Sequence, residues 1–236
     1  MQGLTVSNYK SDDIPIRDAA TVVVIRKHER QYKVLMGQRG KKAIFMPNKF
    51  VFPGGAYEET DSQVPMSSPL SKRDQELLSL DVTKNIGLGL AATVIRELWE
   101  ETGLELAEPY KWEGPPVPGW EIFHRQDTCP KASELTFFFR AITPVGRPRR
   151  FDARFFLCNS EAIRNDLDDF SRSSSELSHL QWIEIEESQN LDLPIITRIV
   201  LREVSRFIAD GANTYGVPFY NEGSSSSNFS YLTLNS

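Results

Sequence analysis

The segment Arg96–Leu104 carries three glutamates whose spacing suits the binding of a metal ion. Glu97, Glu100 and Glu101 stand three and four residues apart, so on a helix their carboxylates share one face. Like charges at this spacing destabilise a helix by about 0.2–0.5 kcal/mol per pair. A divalent cation held between them would replace this repulsion with attraction. The competing interpretation is a solvated acidic helix face, which needs no ligand.

The oxygen ligands offered by this face are hard donors, which favours Mg²⁺ or Mn²⁺ as the cofactor. Arg96 precedes the glutamates and stands one helical turn before Glu100, so its guanidinium can hold that carboxylate by a charge-assisted hydrogen bond. Glu97, Glu100 and Glu101, together with Arg96, are therefore the candidate catalytic residues.

The glutamates lie in a segment that we predict to be helical. From about residue 89 the apolar residues recur at helical spacing, as Ala91, Val94, Ile95 and Leu98. Gly103 is typical of the left-handed residue that ends a helix. The apolar face of this helix is expected to pack on the domain and leave the carboxylates on the other side.

Alternating and β-branched patterns predict several strands around this helix. They are Ala19–Arg26, Tyr32–Gly37, Lys49–Phe52, Trp120–His124, Leu135–Ile142, Arg154–Cys158 and Leu180–Ile185. A last helix is expected over residues 194–209, with Ile195, Ile199, Val200 and Val204 on its inner face. The fold class is therefore α/β, a sandwich with a mixed sheet. We expect an N-terminal extension over 1–17, a single domain over 18–210 and a C-terminal tail over 211–236.

Residues 62–88 differ from their surroundings, because they are rich in Ser, Pro, Lys and Asp. Within them, Ser71–Asp74 resembles a capping box that opens a short helix over Glu76–Leu80. We interpret this segment as an insertion that shapes the pocket or a dimer contact, which leaves a homodimer open.

The net charge of −5 argues against non-specific nucleic-acid binding, which requires a basic excess. No apolar run is long enough for a membrane span or a signal peptide, so we expect no membrane association and a cytoplasmic location. Two cysteines, Cys129 and Cys158, match neither a disulfide framework nor a zinc site.

Residues 96–104 resemble the second half of the Nudix hydrolase signature at every fixed position: Arg-Glu, an aliphatic residue, any residue, Glu-Glu, any residue, Gly and an aliphatic residue. Phe52-Pro53-Gly54-Gly55 resembles the strand end and turn that open the signature. The two halves are separated by the insertion, a gap whose entropic cost grows only slowly with length. The upstream acidic position of the signature falls on Asp61 or, in the alternative alignment, on Leu88.

A split signature is similar to that of the Nudix branch that includes the peroxisomal coenzyme A diphosphatase. The resemblance implies a Nudix-type α/β/α sandwich and hydrolysis of a nucleoside diphosphate linked to another moiety. Coenzyme A or an acyl derivative is the implied substrate. ADP-ribose, a nucleotide sugar, a dinucleotide or a nucleoside triphosphate remains an alternative substrate. Some relatives bind a nucleotide without cleaving it, but those usually lose the signature carboxylates.

The resemblance also assigns roles to residues. It implies Glu97, Glu100, Glu101 and the Gly55 carbonyl as metal ligands, with Glu97 favoured as the general base. Glu161 and Glu176 are alternative bases from distant loops. For substrate binding we select Arg150 and Arg154 from the basic stretch 146–154, because a guanidinium suits phosphate. The competing interpretation of the stretch is a solvated basic loop that leads into a strand. Phe45, in a stretch similar to the same branch, is the third candidate.

Overall fold

The computed structural model describes residues 14–41, 43, 46–80, 82, 86–211, 216–221 and 229–234. Its strands are β1 Ile16–His28, β2 Gln31–Arg39, β3 Phe50–Val51, β4 Gly54–Ala56, β5 Ala107–Pro109, β6 Thr128–Pro130, β7 Leu135–Ile142, β8 Arg150–Asn159, β9 Leu177–Glu184, β10 Val217–Asn221 and β11 Phe229–Leu232. Its α-helices are α1 Lys72–Leu78, α2 Gly87–Thr102, α3 Glu121–Arg125 and α4 Ile195–Asp210. None of these helices is both long and apolar enough to cross a membrane.

Within the described residues, nine strands form one mixed sheet in the order β11-β10-β7-β8-β1-β2-β3, with β4 paired to β1 and β9 paired to β2. The β1–β8 and β7–β10 pairs are parallel, and the other pairs are antiparallel. β1 lies at the centre of the sheet, where Ala20 pairs with Gly55 on one side and Arg154 on the other. The Gly-Gly turn of the signature is thus fixed to the middle of the sheet.

The core lies on both faces of the sheet because side chains alternate along each strand. In β1, Val22 and Val24 contribute to the cluster under α2, whereas Val23 points into the cluster under α4. In β8, Phe156 and Phe155 divide in the same way. The expected α/β/α sandwich with a mixed sheet is confirmed.

Helix α2 follows the predicted apolar period. Val94, Ile95 and Leu98 are at most 1% exposed and pack against the sheet. Gly103 ends the helix at φ 76°, and its N–H donates to the Trp99 carbonyl at 2.7 Å. A non-glycine residue would be strained in this conformation.

The predicted strand Trp120–His124 is wrong, because Glu121–Arg125 forms the helix α3. Trp120 and Phe123 are both buried, and their ring centroids lie 4.9 Å apart. A three-residue spacing places both rings on one side of a helix turn, which a short aromatic run does not distinguish from a strand.

The prediction that Ile195 lies on the inner face of α4 is wrong, because Ile195 is 71% exposed. The buried side is formed by Val200, Leu201 and Val204. Ile195 precedes Val200 by five residues, which rotates it by about 140° around the helix axis at 3.6 residues per turn.

The expected C-terminal tail over 211–236 is partly wrong, because β10 and β11 belong to the sheet. β10 pairs in parallel with β7, and β11 pairs with β10. Val217 and Leu232 are at most 4% exposed. At the other end, β1 begins at Ile16, inside the expected N-terminal extension.

The inserted segment is part of the core in the ranges that the structure describes. Its helix α1 begins after Ser71, whose hydroxyl accepts the N–H of Asp74 at 3.1 Å, as the capping pattern predicts. Leu70, Leu77 and Leu78 are buried in the same cluster as α2. The insertion therefore contributes stability to the domain.

We predict that Leu232→Ala destabilises the protein by about 2–5 kcal/mol, the usual cost of truncating a buried leucine. Leu234→Ala is the matched control, because Leu234 is 38% exposed and should lose less than about 0.5 kcal/mol. Urea unfolding of both variants measures the difference. Equal, small effects would mean that this region is a tail after all.

Candidate active site

The predicted acidic face lies at the C-terminal half of α2, beside the glycine turn at β4. The Gly54 N–H donates to Glu101 Oε2 at 2.8 Å. A Cβ atom on Gly55 would lie 2.2 Å from Glu97 Oε1, so a side chain there would displace this carboxylate. The turn and the helix, far apart in sequence, thus meet at two of the three signature glutamates.

Arg96 organises the cluster from within the helix. Its Nη1 atom donates to Glu97 Oε1 at 2.9 Å and to Glu100 Oε2 at 3.2 Å. The second bond is the predicted contact one turn along the helix. Burial alone would lower the pKa of Arg96, but hydrogen bonds to Asp61 and the charge of Glu97 raise it overall. The guanidinium is therefore permanently charged.

Asp61 occupies the upstream acidic position that the sequence left open. Its carboxylate is fully buried and accepts hydrogen bonds from Arg96 Nε at 2.9 Å and Nη2 at 3.1 Å. Thr93 Oγ1 and Trp120 Nε1 also donate to it, at 2.7 and 3.2 Å. Leu88, the alternative, is 45% exposed. Because the carboxylate is completely engaged, Asp61 positions Arg96 and has no free oxygen for a ligand.

Desolvation dominates the electrostatics of the glutamates. Burial, followed by the negative charge of Glu97, raises the pKa of Glu101 to about 8. Burial raises the pKa of Glu97 to about 7, although Arg96 opposes the shift. Burial also raises the pKa of Glu100. The cluster is short of positive charge at neutral pH, which is the condition that a bound cation would relieve.

The donor chemistry of the cluster fits Mg²⁺ or Mn²⁺, but the cage is not preformed. No three acidic, histidine or cysteine side chains in the described part of the chain already stand in metal-binding arrangement. The reason is visible at Glu97 and Glu100, which each turn one oxygen towards Arg96. Mg²⁺ commonly uses only one or two carboxylates, with waters and substrate phosphates completing its shell. The residues present meet that requirement.

A cleft of about 260 Å³ opens beside the cluster. Its lining residues are Glu100, Glu101, Arg172, Ser174 and Glu176. Glu176 therefore reaches the site from a distant loop, and its charge contributes to the raised pKa of Glu97 and Glu101. Glu161, the other loop candidate, lies in the 3-10 helix Ser160–Ala162 and does not line this cleft.

The prediction that Arg154 holds a phosphate is wrong. Its side chain is 2% exposed, and its guanidinium pairs with Asp18 at 2.5 Å and with Asp152 at 3.1 Å. A buried charge must be compensated inside the protein, and these two carboxylates do so. Arg150 is half-buried and donates to the Thr143 carbonyl at 3.1 Å, away from the lining of the cleft. Phe45 lies outside the described residues.

Three functional neighbours were missed by sequence reasoning. The charge of Arg39, at the end of β2, opposes the rise in the pKa of Glu101, and the buried Nε of Arg39 has no hydrogen-bond partner. Trp120 and Thr93 hold Asp61. Thr93 stands one turn before Arg96 on a predicted helix, which was a usable signal. The contacts of Arg39 and Trp120 arise from the tertiary fold and leave no local pattern.

We predict that Asp61→Asn destabilises the protein by about 3–5 kcal/mol, because it leaves the buried Arg96 charge poorly compensated. The matched control is Asp168→Asn. Asp168 forms an ion pair of similar length with Arg26, 2.8 Å, but its side chain is 62% exposed. That control should lose at most about 1 kcal/mol. Chemical denaturation compares the two, and equal losses would remove the role given to Asp61.

Comparisons with known proteins agree with this geometry. The family model described as NUDIX domain matches residues 15–204. A putative nudix hydrolase 7 of Caenorhabditis elegans is 29% identical over 185 residues, covering 72% of this chain and 52% of that protein. The acyl-coenzyme A diphosphatase NUDT19 of Xenopus laevis is 34% identical over 209 residues, covering 64% of this chain and 52% of that protein. The chain thus spans about half the length of these two relatives.

Among solved structures, a NUDIX hydrolase from Alicyclobacillus acidocaldarius is similar in fold, with a TM-score of 0.61 and 25% identity. The similarity covers 80% of this chain and 91% of that one. The family match spans most of the chain and includes both the glycine turn and the glutamate helix. On these grounds the chain belongs to the NUDIX domain family.

Proposed function

We propose that this protein is a metal-dependent diphosphohydrolase that cleaves a nucleoside diphosphate linked to another moiety, with coenzyme A or its acyl derivatives as substrate. The observation that carries the proposal is the complete cluster of Glu97, Glu100 and Glu101, organised by Arg96 and placed against the Gly54–Gly55 turn. The relative named an acyl-coenzyme A diphosphatase supports the choice of substrate.

Each residue has a defined task in the proposed reaction. Glu97, Glu100 and Glu101 would hold Mg²⁺ or Mn²⁺, with the Gly55 carbonyl as a further ligand. When bound, the metal neutralises phosphate oxygens and lowers the pKa of a water molecule. Arg96 keeps the Glu97 and Glu100 carboxylates in place, and Asp61 keeps Arg96 in place.

Hydrolysis requires a group that accepts the proton of the attacking water. We assign this role to Glu97, the base that the family resemblance favours. Glu176 is the alternative, since it lines the cleft beside the glutamates together with Glu100 and Glu101. The water oxygen forms a bond to phosphorus, the bridging P–O bond breaks, and two phosphomonoesters result. The Glu97 carboxyl then releases its proton to solvent.

We expect coenzyme A or an acyl derivative to be hydrolysed faster than ADP-ribose, nucleotide sugars, dinucleotides and nucleoside triphosphates. A panel of these compounds, assayed for phosphate-bearing products with Mg²⁺ and with Mn²⁺, measures the order.

In the same assay Glu100→Gln and Glu101→Gln should each lower kcat by at least about 10²-fold, because each removes a metal ligand.

The matched control for these two variants is Glu161→Gln, which removes a carboxylate that does not line the cleft. Its kcat should stay near that of the unmodified protein. Normal turnover by Glu100→Gln or Glu101→Gln would contradict the site. If no compound were hydrolysed while one of them raised the melting temperature, the protein would be a nucleotide-binding relative without activity.

We also predict a pH-dependent stabilisation by divalent cations. The raised pKa values of Glu97 and Glu101, about 7 and about 8, mean that ionisation of these groups destabilises the metal-free fold. This destabilisation is absent below the usual carboxyl pKa and complete above about pH 8. Mn²⁺ should therefore raise the melting temperature more at pH 8 than at pH 5.5, and Glu101→Gln should reduce the difference. An equal rise in melting temperature at both pH values would contradict this coupling between glutamate ionisation and metal binding.

A further inference from the structure

Arg172 is the cation among the residues that line the cleft beside the glutamates. The other charged residues of that lining are the carboxylates of Glu100, Glu101 and Glu176. We propose that Arg172 binds a phosphate group of the ligand and is a substrate-binding residue of this cleft. This inference rests on the proposed function, because it takes the ligand to be a phosphate ester.

The backbone of Arg172 is fixed against the end of α2. A Cβ atom on Gly103 would lie 3.0 Å from the Cβ of Arg172, so the end of α2 and the loop that carries Arg172 are in close contact at that point. Two residues further on, the Ser174 N–H donates to the Glu100 carbonyl at 2.8 Å. These contacts tie the loop to the same helix turn that carries the glutamates, which holds the Arg172 backbone beside them.

The guanidinium itself is only weakly engaged. The side chain is 56% exposed, and Nη1 makes one contact of 3.3 Å with Glu105 Oε1. The guanidinium carbon lies 5.8 Å from the centre of the Trp99 ring. Glu105 has a second cation, Arg164, at 3.8 Å. If Arg172 turned towards a ligand, Glu105 would keep Arg164 as its partner.

Charge explains why the ligand group is a phosphate. Carboxylates repel an anionic substrate, and the Arg96 guanidinium is occupied by Asp61, Glu97 and Glu100. Arg172 supplies a planar fork of donors that matches phosphate oxygens, at the exposed side of the cleft. Two phosphates are eligible, namely the diphosphate that is cleaved and a separate phosphomonoester elsewhere on the substrate.

Kinetics of Arg172→Gln with coenzyme A and dephospho-coenzyme A test the proposal and identify the phosphate. We expect KM to rise at least about tenfold, the effect of losing one charge-assisted hydrogen bond, with kcat changed less than about threefold. A loss confined to coenzyme A assigns Arg172 to the phosphomonoester that the dephospho compound lacks. Equal losses assign it to the diphosphate. An unchanged KM for both compounds would overturn the proposal.

Arg164→Gln is the matched control, because Arg164 pairs with the same Glu105 but does not line the cleft. Its kinetic constants should remain those of the unmodified protein. If Arg172→Gln failed to fold, Arg172→Lys would replace it, since lysine keeps the charge without the fork and should still raise KM several-fold. A KM increase of the same size in Arg164→Gln would indicate a merely structural role and refute the proposal.

A binding measurement separates this inference from the proposed activity. Calorimetric titration with inorganic pyrophosphate in the presence of Mg²⁺ requires no turnover. Weaker binding by Arg172→Gln than by Arg164→Gln supports the phosphate contact even if neither coenzyme A compound is hydrolysed. Equal affinity of both variants and the unmodified protein would reject Arg172 as a pyrophosphate ligand, which with an unchanged KM leaves it no role in phosphate binding.

Discussion

The buried charge of Arg96 is the constraint on which the site depends. A guanidinium taken out of water is costly unless carboxylates and hydrogen bonds compensate it. Asp61 does so with two contacts, while Glu97 and Glu100 share the remaining nitrogen. Glu101 lies beside this group, and the charge of Arg39 acts on it. Burial, with a smaller contribution from neighbouring carboxylates, raises the pKa of the glutamates, and a divalent cation among them would compensate their negative charge.

The fold brings the parts of this cluster together from three segments. β1, the central strand, holds β4 and its Gly54–Gly55 turn on one side and provides the apolar surface for α2 on its face. Asp61 arrives just after β4 in the short helix Glu59–Gln63, ahead of the insertion. Helix α1 of the insertion is buried against the same core as α2. The insertion is therefore anchored to the domain beside the helix that carries the glutamates. Sheet pairing and core packing thus do the positioning that an uninterrupted signature achieves locally.

The local spacing of apolar residues was sufficient to predict an element where that spacing fits only a helix or only a strand. The apolar period of α2, its end at Gly103 and the limits of β7 followed from the sequence. Trp120–His124 was misassigned because a five-residue segment with large apolar residues at three positions fits both the helix and the strand period. β10 was missed because it pairs with β7, which is remote in sequence, and no local residue pattern indicates this pairing.

Charged residues were predictable where the helix itself paired them. The contact of Arg96 with Glu100 depends only on helical spacing. The role of Arg154 was predicted wrongly, because a cluster of arginines in the sequence does not reveal that one of them is buried and forms ion pairs with Asp18 and Asp152. The choice between Asp61 and Leu88 likewise needed the tertiary structure. Sequence thus located the candidate glutamates and Arg96, whereas the partners of Arg96 and Arg154 required three-dimensional contacts.

The most direct test of this account is anomalous diffraction from crystals soaked in Mn²⁺. We predict a manganese peak among the carboxylates of Glu97, Glu100 and Glu101, next to the Gly55 carbonyl, with Arg96 still bound to Asp61. Crystals in which the glutamates keep their contacts to Arg96 and manganese is absent from this cleft would contradict the central claim.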